Sequence, residues 1–219
     1  MTPELQQFLS IHRLAPYHLP GETSDTAFVR YQWNIQLAEA LLPSINYLEI
    51  GLRNGLDRAI TSIYGQDWIL NPPYQLRMSE ADIRQIEDLK DDIQKTKGYP
   101  AKHDDVLARL GFGFWVAFFH KRYISGLWSR GKNPLVSIFP NMASTLRTRE
   151  LVFARLRTIK ALRNRIAHHE PIWKATPTVD EVHKTCIEIV CGMSNEAAIE
   201  LAKIDRFQAI YDKTGAQQK

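Results

Sequence analysis

The residues best equipped for chemistry lie in the run Arg163-Asn164-Arg165-Ile166-Ala167-His168. A histidine can give or take a proton near neutral pH, and a guanidinium can hold an anion through its planar fork of donors. With an amide beside them they suit acid–base work on a charged substrate. No cluster of carboxylates in the chain has a spacing fit to hold magnesium. On a helical wheel of about 100° per residue, Leu151, Val152, Leu156, Ile159, Leu162 and Ile166 share one apolar arc. Arg157, Lys160, Asn164 and His168 form a stripe about 80° wide on the other side, with Asn164 and His168 four apart and adjacent. Taken alone, such a stripe is more often a solvated face than a site. Arg163 belongs to neither set. It projects at the edge of the apolar arc, where burying a guanidinium without a partner costs several kcal/mol. It must snorkel, or meet an anion or an acid at an interface. Arg155 also falls in that arc, which suits a face packed on a wet surface.

The elements that position these residues read as helices nearly throughout. After a turn-rich stretch from Pro16 to Ser24, apolar positions including Ile35, Leu37, Leu41, Leu42, Ile45, Leu48, Leu52, Leu56 and Ile60 recur at threes and fours, predicting a helix from about Asp25 to Tyr64. Pro43 is a place to kink or split it. Asn71-Pro72-Pro73 is a break. Ser79 with Asp82 predicts a capping box opening a helix to about Lys97, which Gly98 and Pro100 stop. A short helix is expected over Asp104–Leu110, a tight aromatic turn at Gly111-Phe112-Gly113-Phe114-Trp115, and another helix to about Trp128. Gly131 to Asn141 reads as a loop. The helix that carries the polar stripe should run from Ser144 to His168, and two more from Val179 to Met193 and Asn195 to Lys213, capped by Thr178 and by Ser194 or Asn195. No strong strand alternation, phosphate-binding glycine loop or internal repeat is present. The fold class expected is all-α, as one domain over residues 1–219 with an N-terminal arm of about 1–24 and a disordered tail from Thr214 to Lys219.

Composition sets the limits. The 219 residues are 44% hydrophobic and 24% charged, ordinary for a soluble globular protein with a sizeable core. A formal charge of +4, with a sequence pI near 9.0, permits a nucleic-acid partner without establishing one. Cys186 and Cys191, about 140° apart on a helix, suit neither a disulfide nor a metal pair. The histidines His103, His120, His168, His169 and His183 show no ligand spacing, so neither a metal nor a cofactor is expected. The first residues lack a signal peptide's basic start and apolar core. The longest apolar stretch, Phe112–Phe119, is far short of the roughly 20 residues needed to cross a bilayer. A cytoplasmic protein without a membrane partner is the expectation.

Arg163 to His168 also matches the R-x4-6-H signature of HEPN ribonucleases. The longer string LRNRIAHHEPIW, Leu162 to Trp173, resembles the hallmark of Abi-like abortive-infection proteins within that superfamily. Two upstream segments agree, Tyr31-Gln32-Trp33-Asn34 leading to Leu48-Glu49-Ile50-Gly51-Leu52-Arg53-Asn54, and Gly111 to Val116. The resemblance runs from about residue 25 to 175. It implies a HEPN-like helical bundle with additional helices, dimeric, that cuts RNA without metal by attack of the ribose 2′-OH on the adjacent phosphate. His168 is then the acid/base, Arg163 the phosphate clamp, and Asn164 orients the phosphate or the imidazole. Because Arg163 and His168 lie about 140° apart on a straight helix, one helix presents both poorly to a single phosphate. The family's solution is two copies facing one cleft.

Substrate-binding candidates are Arg157 and Lys160 on the stripe and Glu49, Arg53 and Asn54 from the earlier helix. Glu49 and Arg53 are also spaced for an ordinary salt bridge. His169 points to the apolar side and reads first as a structural hydrogen-bonding group, with substrate contact as the lesser reading. Glu170 could pair with either histidine. The implied role is a toxin in abortive infection, phage defence or a toxin–antitoxin system, restrained by a small RNA or a protein antitoxin. A non-catalytic HEPN module, antitoxin-like, that binds RNA or a partner protein is the alternative.

Overall fold

The structure, a computed structural model, describes residues 1–130 and 133–215, and among them every regular element is helical. The N-terminal arm is itself partly helical: α1 (Pro3–Leu9) is capped by the Thr2 hydroxyl and α2 (Ile11–Leu14) by that of Ser10. Arg30 ties the arm down. Its guanidinium bonds the Tyr17 carbonyl, meets both Glu22 oxygens at 2.6 Å and lies 5.0 Å over the Trp173 ring. The paired guanidinium holds the Glu22 carboxyl below its ordinary range.

From the Thr23 cap, α3 (Ser24–Tyr64) runs unbroken for 41 residues, about 60 Å at 1.5 Å per residue. Pro43 neither kinks it into two elements nor ends it. A mid-helix proline costs about 3 kcal/mol. Leu37, Leu41, Ile45 and Leu48, all buried on either side of it, each return about 1.5–3 kcal/mol. Burial wins. Helix α3 is the axis on which most of the later helices pack.

Beyond α3 the chain turns at Trp68, whose indole donates to Asp57 at 2.8 Å, while His103 Nε2 lies 2.9 Å from the same oxygen. The expected capping box of Ser79 and Asp82 opens α4 (Glu80–Lys97), which stops at a left-handed Gly98. Then come α5 (His103–Arg109) and α6 (Phe112–Ala117), where Phe112, Phe114 and Trp115 are buried as core. The helix expected to reach Trp128 instead ends at Ala117, giving way to a 3-10 turn (Lys121–Tyr123) and a wide π-type turn (Ile124–Trp128). The cause is burial on more than one side. Phe118, Phe119, Tyr123 and Leu127 all go inside, and one straight helix cannot face them all inward. Gly126 permits the tight return, since a Cβ there would sit 2.5 Å from the Gln75 carbonyl oxygen.

Within the expected loop 131–141, of which 131 and 132 lie outside the described residues, the proline-led α7 (Pro134–Ile138) forms and packs Ile138 against Gly55 of α3. Helix α8 (Arg149–Ala167) starts later than Ser144, because the preceding turn is held by Arg147 on the Phe139 and Pro140 carbonyls and Thr148 supplies the cap. Helix α9 (Val179–Met193) has the expected ends, opened by a capping box of Thr178 and Glu181. The last expected helix is two, α10 (Asn195–Ala202) and α11 (Phe207–Gly215). Asp205 separates them, accepting the Phe207 amide at 2.9 Å while its other oxygen lies 2.8 Å from His183 Nε2. Thr214 and Gly215 therefore close α11, and the rest of the expected tail lies outside the described residues. One buried apolar cluster runs from Trp33 to Phe207. Cys186 is part of it, and burial pushes its thiol up to about 12, so it packs as a neutral group. Among the described residues no helix is long and apolar enough to cross a membrane.

Candidate functional site

The last turns of α8 carry the sequence-predicted site. Arg157, Asn164 and His168 are exposed and Lys160 is half-buried, as the wheel requires of a stripe opposite Val152, Leu156, Ile159 and Leu162. The helix ends at His168, which keeps its amide on the Asn164 carbonyl at 2.9 Å. The next two amides turn back: His169 to Ile166 at 3.0 Å and Glu170 to Arg165 at 2.8 Å. That pair of bonds is a Schellman ending, with His169 in the left-handed place usually given to glycine (φ 56°). His169 is exposed rather than turned to the apolar side, because the wheel stops applying once the helix has ended. Left-handed backbone costs a non-glycine residue about 1–2 kcal/mol, and glycine gives back part of that through its freer unfolded chain. His169→Gly should raise stability by about 1 kcal/mol and the melting temperature by about 2–4 °C. A lower melting temperature would mean the imidazole holds something in the fold.

After the Schellman turn the chain is clamped. The buried Asn34 of α3 accepts two amides with one oxygen, Ile172 at 2.6 Å and Trp173 at 3.1 Å. Arg165 bonds the Pro171 carbonyl and lies 3.6 Å from Glu170, so Glu170 pairs with this arginine and with neither histidine. Sequence reasoning quoted Asn34 without giving it a job; its partner lies 138 residues away.

Arg163 is half-buried and opens onto a cleft of about 330 Å³ between α3 and α8, lined by Leu42, Ile45, Asn46, Glu49, Ile166 and Ala167. Glu49 is thus brought to the motif. Arg53 and Asn54 are not. The expected Glu49–Arg53 bridge does not form, and Arg53 Nε donates to Asn54 Oδ1 at 3.2 Å instead. Asn46 was missed, though it lies one turn before Glu49 on the same face. His168 does not line this cleft.

Some basic side chains of α8 and its start are paired and others are not. Arg155 pairs with Glu188, Arg149 with Glu150 and Arg165 with Glu170. Among the described residues Arg163, Asn164 and His168 make no side-chain hydrogen bond or ion pair within the chain. The cleft's α3 wall continues into apolar side chains left in solvent, Leu42 at 51% and Ile35 at 48% exposure, both among the apolar positions whose spacing predicts the helix. Among the described residues no group of three or more histidines, cysteines or acids gathers as a metal site.

An all-helical protein with Arg163, Asn164 and His168 unpartnered on different sides of one helix end is what the geometry defines. A family model described as Abi-like protein matches residues 5–174, from α1 through the Asn34 clamp, so the chain belongs to the Abi-like family. That membership relates it to abortive infection. No curated protein and no solved structure matches the chain.

Proposed function

We propose that this Abi-like protein is a cytoplasmic endoribonuclease of the HEPN superfamily, needing neither metal nor cofactor, and a toxin of phage defence held in check by a small RNA or a protein. The observation that carries the reading is the half-buried Arg163, which makes no ion pair within 4 Å among the described residues although Glu49 lines the same cleft, near Asn164 and His168 on a helix end that the Asn34 clamp fixes in place. In the reaction the ribose O2′ attacks the adjacent phosphorus. The P–O5′ bond breaks, the 2′-OH proton leaves, and another reaches O5′. Histidine is the residue type suited to those transfers and an arginine fork to the charge on the phosphorane oxygens. The products are a 2′,3′-cyclic phosphate and a 5′-hydroxyl. Pure protein should cut transfer RNA or bulk RNA.

A single chain leaves His168 outside the cleft of Arg163, which favours either of two readings. In the first, the chain is a homodimer joined through the exposed Ile35–Leu42 face, so that a site borrows Arg163 from one copy and His168 from the other. A charge placed there would be buried without a partner. Leu42→Asp should therefore weaken association roughly 100-fold, shifting light scattering from twice 25.2 kDa towards 25.2 kDa, with cleavage lost in parallel. A wild-type chain that is strictly monomeric at micromolar concentration and still cuts RNA contradicts it. In the second reading the chain is a non-catalytic helical module that binds RNA or a partner protein. Pure protein that binds RNA and never cuts it would establish that reading.

A further inference from the structure

A second cleft, of about 300 Å³, opens where α6 and the 121–123 turn meet α8. Four nitrogen bases converge on it: His120, Arg122, Arg157 and Lys160. None has a carboxylate partner within 4 Å among the described residues, and what sets them apart is that they share one cleft. Arg157 lies 5.8 Å over the Phe153 ring, and His120 meets that ring edge-on. Lys160 is half-buried, with its ammonium about where a side chain on Gly113 would reach: a Cβ there would lie 3.6 Å from Nζ. The one acid in the cleft is Asp82. Its Oδ2 accepts from the Ser79 hydroxyl at 2.5 Å and the Tyr123 hydroxyl at 3.0 Å, and it forms no ion pair with any of the four, so it offsets only part of their charge. Burial, together with Asp82, drives the Tyr123 phenol well above its ordinary range, so it stays a neutral donor.

Like charges gathered in a concavity repel one another, and a fold tolerates that where an anion completes the site. We propose that this cleft grips a backbone phosphate of the RNA strand at a distance from the bond being cut. The assignment rests on the ribonuclease reading for the identity of the ligand. Lys160 and His168 are on one stripe, eight residues and about 12 Å apart along the helix. A single strand lying along that stripe bridges them within a few nucleotides. The cleft thus acts as a register stop, made of phosphate contacts that position the strand without reading its bases.

The test separates binding from cutting. A short single-stranded oligoribonucleotide, 2′-O-methylated throughout so that it cannot be cleaved by 2′-OH attack, is titrated by fluorescence anisotropy at rising salt. Lys160→Gln and Arg122→Gln should each weaken binding roughly five-fold at low salt and lower the salt slope by about 0.7, the change for one phosphate contact on a single strand. Lys95→Gln, an exposed charge on α4, serves as the control and should leave both nearly unchanged. Cleft variants that behave like the control, or a wild-type protein that does not bind the oligonucleotide, overturn the assignment. Loss of binding in the cleft variants, with a wild type that cuts no natural RNA, keeps the cleft as an RNA site and removes the ribonuclease reading.

Discussion

If the chain is the ribonuclease proposed, replacing His168 with alanine should lower RNA cleavage by at least about 100-fold and leave the fold intact. The size follows from the role, since a positioned acid or base contributes about 100- to 10,000-fold. The innocence for stability follows from the structure. His168 is exposed, makes no side-chain hydrogen bond and has cap dihedrals of φ −92° and ψ 9° that any residue adopts. Surface changes of that kind move stability by no more than about 0.5 kcal/mol. Arg163→Ala should lose about 100- to 1000-fold, the scale for removing one donor to a developing oxyanion. It should also weaken self-association, which His168→Ala should not. Rates on transfer RNA, with melting curves for both variants, check this. A His168→Ala protein that cuts at the wild-type rate shows that the roles are wrongly assigned.

The largest effect on stability belongs to Asn34. Alanine at that position strips the acceptor from two backbone amides, those of Ile172, which is fully buried, and Trp173. A buried donor left without a partner costs about 1–3 kcal/mol, so Asn34→Ala should lose about 2–5 kcal/mol in urea denaturation. On the proposed function cleavage should fall with it, because the clamp fixes the chain leaving the turn after His168. Asn34→Asp keeps an acceptor in the same place and should lose less. An alanine variant as stable as the wild type would show that water or a local shift satisfies both amides.

Signals that act within one turn of helix were legible in the sequence. Ser79 with Asp82, and Thr178 as a cap, mark helix starts because the bonds they make are local, although the reciprocal partner of Thr178, Glu181, went unread. The stripe of Arg157, Lys160, Asn164 and His168 was readable because α8 runs uninterrupted from Arg149 to Ala167, with Val152, Leu156, Ile159 and Leu162 buried on the other side. Signals that depend on partners far along the chain were not. Asn34 reads as any polar residue in a helix until residues 172 and 173 are folded onto it. Ile35 and Leu42 match the apolar period as well as the buried Leu37 and Leu41 do, so periodicity cannot tell core from an uncovered face. The break after Ala117 is set by how many aromatics must be buried at once. His169 escaped the wheel because it stands one residue past the helix cap, His168.

The central claim, 2′-OH attack helped by histidine and arginine, is tested most directly by the ends of the cut RNA. Pure protein is incubated with RNA in excess EDTA, and the termini of the fragments are identified, beside a substrate carrying a 2′-O-methyl group at the cut site and a DNA of the same sequence. Cleavage should persist in EDTA and leave 2′,3′-cyclic phosphates on the upstream fragments. The methylated RNA and the DNA, both lacking the attacking hydroxyl, should stay whole. Cleavage that stops in EDTA and leaves 3′-hydroxyl ends would mean that a bound metal activates water, contradicting the mechanism drawn from Arg163, Asn164 and His168.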